Sequence, residues 1–261
     1  MVESGGNSML YSFKDWLIGN MGTPGEYQFT EIYWFSLLGV VIALVIVILL
    51  GASKRINIQK KEIILKSIAI FQLGFEILWR FIYLFVKKDS ILCWWPLYPC
   101  NLGGIIIPII ALINNKTGKK MFYLFGAVGA CLTFAVPEGI FSSDVFVFPI
   151  LKSILQHTGL ILIPVFEYVS GKFKPSLRSF GFVILGCLVH LINCEGIDRL
   201  LGFEGDYMFF RSGMPFVIPG VPQFITLSVF AIIVLALLSF LCNIHDSIDF
   251  LRSISKKKGA N

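Results

Sequence analysis

The sequence predicts an all-α membrane protein, a polytopic bundle of seven transmembrane helices with the N-terminus outside and the C-terminus in the cytoplasm. Three observations lead there. Of 261 residues, 56% are hydrophobic and 15% charged, with a mean hydropathy of +0.79. A water-soluble domain of this size has no interior large enough to hide that much apolar surface. The apolar residues fall into seven runs, each near the ~20 residues that a helix needs to cross a bilayer. The basic residues collect in short clusters between alternate runs, as in cytoplasmic loops. That clustering accounts for the net charge of +6 and argues against a nucleic-acid partner.

In chain order, residues 8–19 (SMLYSFKDWLIG) read as a short interfacial helix with Tyr11 and Trp16 at headgroup level. Gly22, Pro24 and Gly25 then break the chain. Residues 1–30 have no basic start followed by an apolar stretch, so no cleavable signal peptide is expected. The spans are expected at roughly 31–51, 62–86, 91–113, 120–137, 149–169, 177–194 and 222–242. The first is nearly all aliphatic after Trp34; the fourth is rich in glycine and stops at Pro137. Three segments follow: 1–30 outside the membrane, 31–242 within it, and a basic cytoplasmic tail, 243–261, with Lys256, Lys257 and Lys258 near its end.

Basic residues set the orientation. Lys54, Arg55, Lys60 and Lys61, then Lys116, Lys119 and Lys120, then Lys172, Lys174 and Arg178, and finally Arg252 with the tail lysines fall on one side. The other side holds only Lys14, Lys87, Lys88, Arg199 and Arg211. The positive-inside rule makes the first set cytoplasmic.

The six cysteines, Cys93, Cys100, Cys131, Cys187, Cys194 and Cys242, form no CxxC pair, and no Cys/His spacing fits a zinc site. No metal is expected. Cys93 and Cys194 fall near outer helix ends and are the candidates for a disulfide.

One stretch is out of place in its apolar run: Cys93-Trp94-Trp95-Pro96-Leu97-Tyr98-Pro99-Cys100-Asn101. Prolines free backbone carbonyls, and hydrocarbon offers them no partner. This segment should therefore face the inside of the bundle, with protein or water covering those groups. At ~1.5 Å per residue, Cys100 lies roughly 14 Å, Glu76 roughly 15 Å and His157 roughly 12 Å below the outer surface. Three helices thus bring polar groups to one level, and the cytoplasmic half shows no comparable cluster. Glu76 and Arg80 are four apart and share a helix face that Gln72 continues. They serve either as a self-neutralising structural pair or in the site, with Arg80 holding a phosphate. His157 is either an interhelical hydrogen-bonding residue or a base that activates the Cys100 thiol. Gln156 is expected to point elsewhere and to be structural. His190 and Asn193, three apart on the sixth span, are candidates for the same cavity. His245 falls on the cytoplasmic side. Glu138 reads as a cap, and Glu204, Asp206 and Arg211 as solvated loop residues. Asp206-Tyr207-Met208-Phe209-Phe210 is a candidate lid. No GxSxG, P-loop, GxGxxG or HExxH motif with supporting context is found.

The order of these features resembles the YwaF-type family of integral membrane proteins, related to animal transmembrane protein 164. The matching pieces are Pro96-Leu97-Tyr98-Pro99-Cys100-Asn101-Leu102, Thr133-Phe134 through Pro137, His157, Asn193 and Asp206-Tyr207-Met208-Phe209. The animal relative is regarded as a cysteine-dependent acyltransferase of phospholipids. The resemblance implies that Cys100 is a nucleophile and His157 its base. Many bacterial members carry histidine where this chain has Tyr98, and the animal protein has one where this chain has Asn101.

The expected function is therefore acyl transfer or acyl-ester hydrolysis on phospholipids or lysolipids. Asn101 or backbone amides near Pro99 would stabilise the oxyanion, with Glu76, Arg80, Tyr98, His190 and Asn193 in support. The alternative is a non-enzymatic carrier or binding protein, with the same residues lining a polar pocket in the outer half of the bilayer. Membrane lipids are the expected partners in a multi-pass plasma-membrane protein, and no cofactor is required. The sequence does not specify an oligomeric state.

Overall fold

The computed structural model describes residues 13–19, 29–87, 95–137, 140–141, 143, 145–202, 205–208, 218 and 220–258. All regular structure among them is helical. In chain order the helices are α1 (Phe13–Ile18), α2 (Glu31–Ala52), α3 (Ile58–Ile82), α4 (Pro99–Leu112), α5 (Lys116–Ala135), α6 (Phe148–Val169), α7 (Phe180–Leu191), α8 (Asp198–Leu201), α9 (Gln223–Cys242) and α10 (Ile244–Lys258). A π turn, Tyr83–Lys87, prolongs α3, and a second, Ile192–Ile197, joins α7 to α8.

Five helical stretches are long and apolar enough to cross a membrane: Glu31–Ala52, Ile58–Phe85, Phe148–Val169, Leu177–Leu201 and Gln223–Cys242. Two of the seven expected spans differ from that pattern. Among the described residues of the third, the helix runs from Pro99 to Leu112, 14 residues or about 21 Å, short of the ~30 Å hydrocarbon layer. Pro96 and Pro99 keep the preceding residues out of the helix. The fourth, α5, has the length, but Lys116, Lys119 and Lys120 in its first turns lower its hydropathy. It also starts earlier than expected, because Asn115 caps it by accepting a hydrogen bond from the Gly118 N–H at 2.8 Å.

Helix α6 is the centre of the bundle. It packs against α2, α3, α4 and α5, while α7 and α9 cover the far side of α5. The burial pattern inverts that of a soluble protein. Large aliphatic residues of α2 such as Leu38, Ile42, Val45, Ile46 and Leu49 face outward. Lys152, Gln156, His157, Thr158 and Glu167 of α6 are buried. In water each exposed side chain of that size forgoes about 1.5–3 kcal/mol of burial, whereas hydrocarbon removes that penalty and drives polar groups inward. Residues 8–12 of the expected interfacial helix lie outside the described residues, but Trp16 anchors α1 beside α6: its Nε1 donates to the Phe146 carbonyl at 3.0 Å and its ring lies 5.3 Å from that of Phe148.

Candidate active site at the start of α4

The site begins where the prolines end. Tyr98 is extended (φ −65°, ψ 141°), as a residue before proline must be, and Pro99 takes the first helical position, where its missing N–H leaves nothing unpaired. Cys100 is therefore the second residue of α4. Its sulfur lies within reach of the backbone N–H groups of Cys100 and Asn101, two of the donors that a helix leaves open at its start.

The Pro96 and Leu97 carbonyls ahead of it have protein partners, as expected, although the Trp95 and Tyr98 side chains are exposed. Asn193 Nδ2 donates to the carbonyls of Pro96 at 2.7 Å and Leu97 at 3.3 Å, and Asn193 Oδ1 accepts from Trp95 Nε1 at 2.9 Å. The Cys194 thiol donates to the same Leu97 carbonyl at 2.8 Å. Both residues sit in the π turn after α7, whose wider winding turns two consecutive side chains towards this segment. Cys194 is a free thiol; Cys93 lies outside the described residues.

Behind Cys100 stands a buried polar network centred on α6. Lys152 Nζ donates to Asn101 Oδ1 and to Gln156 Oε1, each at 2.8 Å, and lies 3.7 Å from Glu76 Oε1 of α3. Gln156 Nε2 donates to the Cys100 carbonyl at 3.0 Å and to Asn101 Oδ1 at 2.9 Å. Lys152 and Gln156 are one helical turn apart, so one face of α6 presents both to the first turn of α4. Neither Glu76 oxygen has a hydrogen-bond partner among the described residues. Glycine makes the approach possible. A Cβ on Gly104 of α4 would come within 2.9 Å of Gln156 Nε2 and 3.0 Å of Glu76 Oε1, and one on Gly159 of α6 would collide with the Gln72 amide.

Several expectations change here. The basic side chain nearest Glu76 is Lys152 at 3.7 Å, and Arg80 is a second basic group in its surroundings. Gln156 does not point elsewhere; it is the hub of the network. Lys152 was not foreseen at all, although a lone lysine three residues into an apolar run, four before a glutamine, was the available signal. The charged neighbours of Cys100 are Lys152 and Glu76. His157 is buried one residue beyond Gln156, about 100° further round α6. Its Nδ1 donates to the Ser153 carbonyl at 2.7 Å, its ring faces Phe134 at 6.0 Å, and no hydrogen bond joins it to the Cys100 thiol. That bond fixes the tautomer, leaving Nε2 as an acceptor.

His190 is buried against the rings of Phe125 (4.7 Å) and Phe122 (5.7 Å) of α5, outside this network. Tyr98 is largely exposed and meets Tyr207 edge to face at 4.8 Å. Part of the expected lid thus lies over the start of α4, while Phe209 and Phe210 fall outside the described residues. Partial burial, with Asp198 and Tyr98 nearby, raises the Tyr207 phenol above its ordinary value.

The other end of α6 also carries a buried cluster, contrary to expectation. Lys119 Nζ contacts Glu167 Oε2 and Asn114 Oδ1, each at 2.6 Å, and the Tyr123 hydroxyl donates to Glu167 Oε1 at 3.2 Å. Lys119 is thus a buried helix residue and not a loop charge. An apolar groove of about 570 Å³ between α2 and α6, lined by Phe35, Gly39, Leu151 and Leu155 among others, opens on a different face of α6 from Lys152 and Gln156.

Residues 27–241 match the model of the TMEM164 family. The chain belongs to the TMEM164 family. No curated protein and no solved structure matches it. The matched stretch takes in α2 through nearly all of α9, and so every residue of the network around Cys100. Membership in the TMEM164 family and the five long apolar helices make this a multi-pass integral membrane protein.

Proposed function

We propose that this TMEM164-family protein is an intramembrane acyltransferase or acyl-ester hydrolase acting on phospholipids or lysolipids, with Cys100 as its nucleophile. In the same reading the chain crosses the bilayer seven times with its N-terminus outside, α4 and α5 adding to the five long spans, and Cys100 lies in the outer half of a bacterial plasma membrane. The observation that carries the reading is the setting of Cys100. Its thiol sits at the positive end of α4, beside two open backbone amides and next to a buried Glu76–Lys152–Asn101–Gln156 network.

The chemistry follows from that setting. A protonated thiol is a weak nucleophile, and a helix N-terminus favours the thiolate. The thiol proton passes to a base on α6, the helix that carries both His157 and Lys152. The sulfur then attacks the acyl carbonyl carbon, a carbon–sulfur bond forms, and the amides of Cys100 and Asn101 hold the oxyanion. The ester carbon–oxygen bond breaks, and the departing lysolipid oxygen takes the proton back. A second hydroxyl, from a lysolipid or from water, reverses these steps and releases the acyl group.

The test is labelling in native membranes with an acyl-mimicking thiol probe. Wild type should be labelled at Cys100 and Cys100→Ala should lose that signal. Undiminished labelling of the variant would remove Cys100 from the mechanism. One observation favours a carrier instead: the buried Glu76 carboxyl, which has no hydrogen-bond partner among the described residues, resembles a proton-coupling group. Uptake into proteoliposomes that is abolished by Glu76→Gln but indifferent to Cys100→Ala would favour that second reading.

A further inference from the structure

The Cys100 thiol needs a proton acceptor, and the contacts of Lys152 suit it to that task. An uncharged amine has two N–H groups and one lone pair. Lys152 Nζ has two short contacts, both to amide oxygens, Asn101 Oδ1 and Gln156 Oε1 at 2.8 Å. Those two hydrogen bonds use both hydrogens of the uncharged amine. The third neighbour, Glu76 Oε1 at 3.7 Å, is beyond hydrogen-bond distance. The lone pair is therefore uncommitted. Asn101 and Gln156 also tie the amine to the first turn of α4: Asn101 follows Cys100 directly, and Gln156 Nε2 holds the Cys100 carbonyl at 3.0 Å. The face of the Trp79 ring, 5.9 Å away, closes another side of the amine. His157 lacks these links, being bonded to its own helix.

We propose that Lys152 is the proton acceptor for the Cys100 thiol, with the Glu76 carboxyl as its uncharged neighbour at rest. This rests on the reading of Cys100 as nucleophile. In the resting site the Lys152 amine and the Glu76 carboxyl are both uncharged, which keeps lone charges out of hydrocarbon. The thiol proton moves to Nζ, giving a thiolate and an ammonium. After the sulfur–acyl bond forms and the ester bond breaks, the ammonium returns that proton to the leaving lysolipid oxygen. The incoming hydroxyl gives its proton to the amine as it attacks the thioester. When the thiolate leaves, it recovers that proton, and the site is restored with charge and atoms balanced. The groups that influence this transfer are Glu76 and Arg80 from α3, Cys100 from α4, and His157 on α6 itself.

The experiment measures the rate at which N-ethylmaleimide modifies Cys100 in native membranes from about pH 6 to pH 9.5, read by mass spectrometry of the Cys100 peptide. Lys152→Met should slow the modification at least about tenfold near pH 7.5 and move the profile to higher pH. Lys152→Arg, which keeps a cation but not a base, should also slow it. The double variant Glu76→Gln/Lys152→Met removes both partners of the pair, so it leaves no buried charge behind, and it should show the same loss. A Lys152→Met or double-variant profile that superimposes on wild type overturns the assignment, as does an equal or larger loss in His157→Gln. Failure of the underlying reading is separate: if wild-type Cys100 reacts no faster than Cys131, which faces outward from α5, Cys100 is not an activated nucleophile and both ideas fall.

Discussion

Among the side chains at the start of α6, Lys152 is the one whose loss disturbs most neighbours. It donates to Asn101 and Gln156 and faces Glu76. Lys152→Met takes the donor away from Gln156 Oε1, and one buried unpaired group costs about 1–3 kcal/mol. The variant should therefore lower the thermal midpoint of the detergent-purified protein. An unchanged midpoint would mean that these bonds do not hold the helices together. Gly104→Ala should cost about 1–3 kcal/mol, because its methyl group overpacks against Gln156 and Glu76. A midpoint unchanged from wild type would show that the network can yield. At this scale the sequence disclosed the participants unevenly. Cys100, Glu76 and His157 stand out in the sequence as polar residues at one depth; the structure sets Cys100 and Glu76, with Asn101, around one network and leaves His157 bonded to its own helix. Lys152 and Gln156 were passed over because depth along a helix says nothing about azimuth. His157 and Gln156 are neighbours in sequence and about 100° apart around the axis, so only packing decides which meets α4.

At the scale of elements, the π turn after α7 and the non-helical Trp95–Tyr98 segment depend on one another. Asn193 satisfies the Pro96 and Leu97 carbonyls of that segment and accepts from Trp95. Asn193→Leu removes these bonds and leaves the Pro96 carbonyl without its partner, at about 1–3 kcal/mol, while the Leu97 carbonyl keeps the Cys194 thiol. Amide hydrogen exchange in residues 95–102 should rise in that variant while exchange in α2 and α9 stays as in wild type. Unchanged protection in 95–102 would mean that Cys194 and packing hold the segment without Asn193. Span boundaries set by long aliphatic runs, such as those of α2, α6 and α9, were legible to within a residue or two. The third was not, since a span drawn from hydropathy runs through Pro96 and Pro99, although both prolines are plain in the sequence. The cap at Asn115, which starts α5 before the apolar run, is likewise a local hydrogen bond that hydropathy cannot register.

For the whole molecule, an apolar exterior and a polar axis along α6 are the two linked features. Lys152 and Glu167 stand about 22 Å apart on α6, each paired with a residue from another helix, Glu76 and Lys119. The second pair was hidden because Lys119 looked like one more loop lysine. The remaining loop charges still support the proposed orientation. In a cysteine-free background, Lys54→Cys should react with an impermeant maleimide only in opened membranes, and Tyr207→Cys in sealed cells. The reverse pattern would invert the topology and move Cys100 to the inner half of the bilayer. The central claim is that Cys100 carries an acyl group in turnover. It is tested most directly by incubating native membranes with an alkyne-tagged phospholipid and seeking the tagged acyl group on the protein. The account predicts a hydroxylamine-labile acyl thioester on the Cys100 peptide of wild type and none in Cys100→Ser. A tag absent from wild-type Cys100 while lipid turnover continues would contradict it.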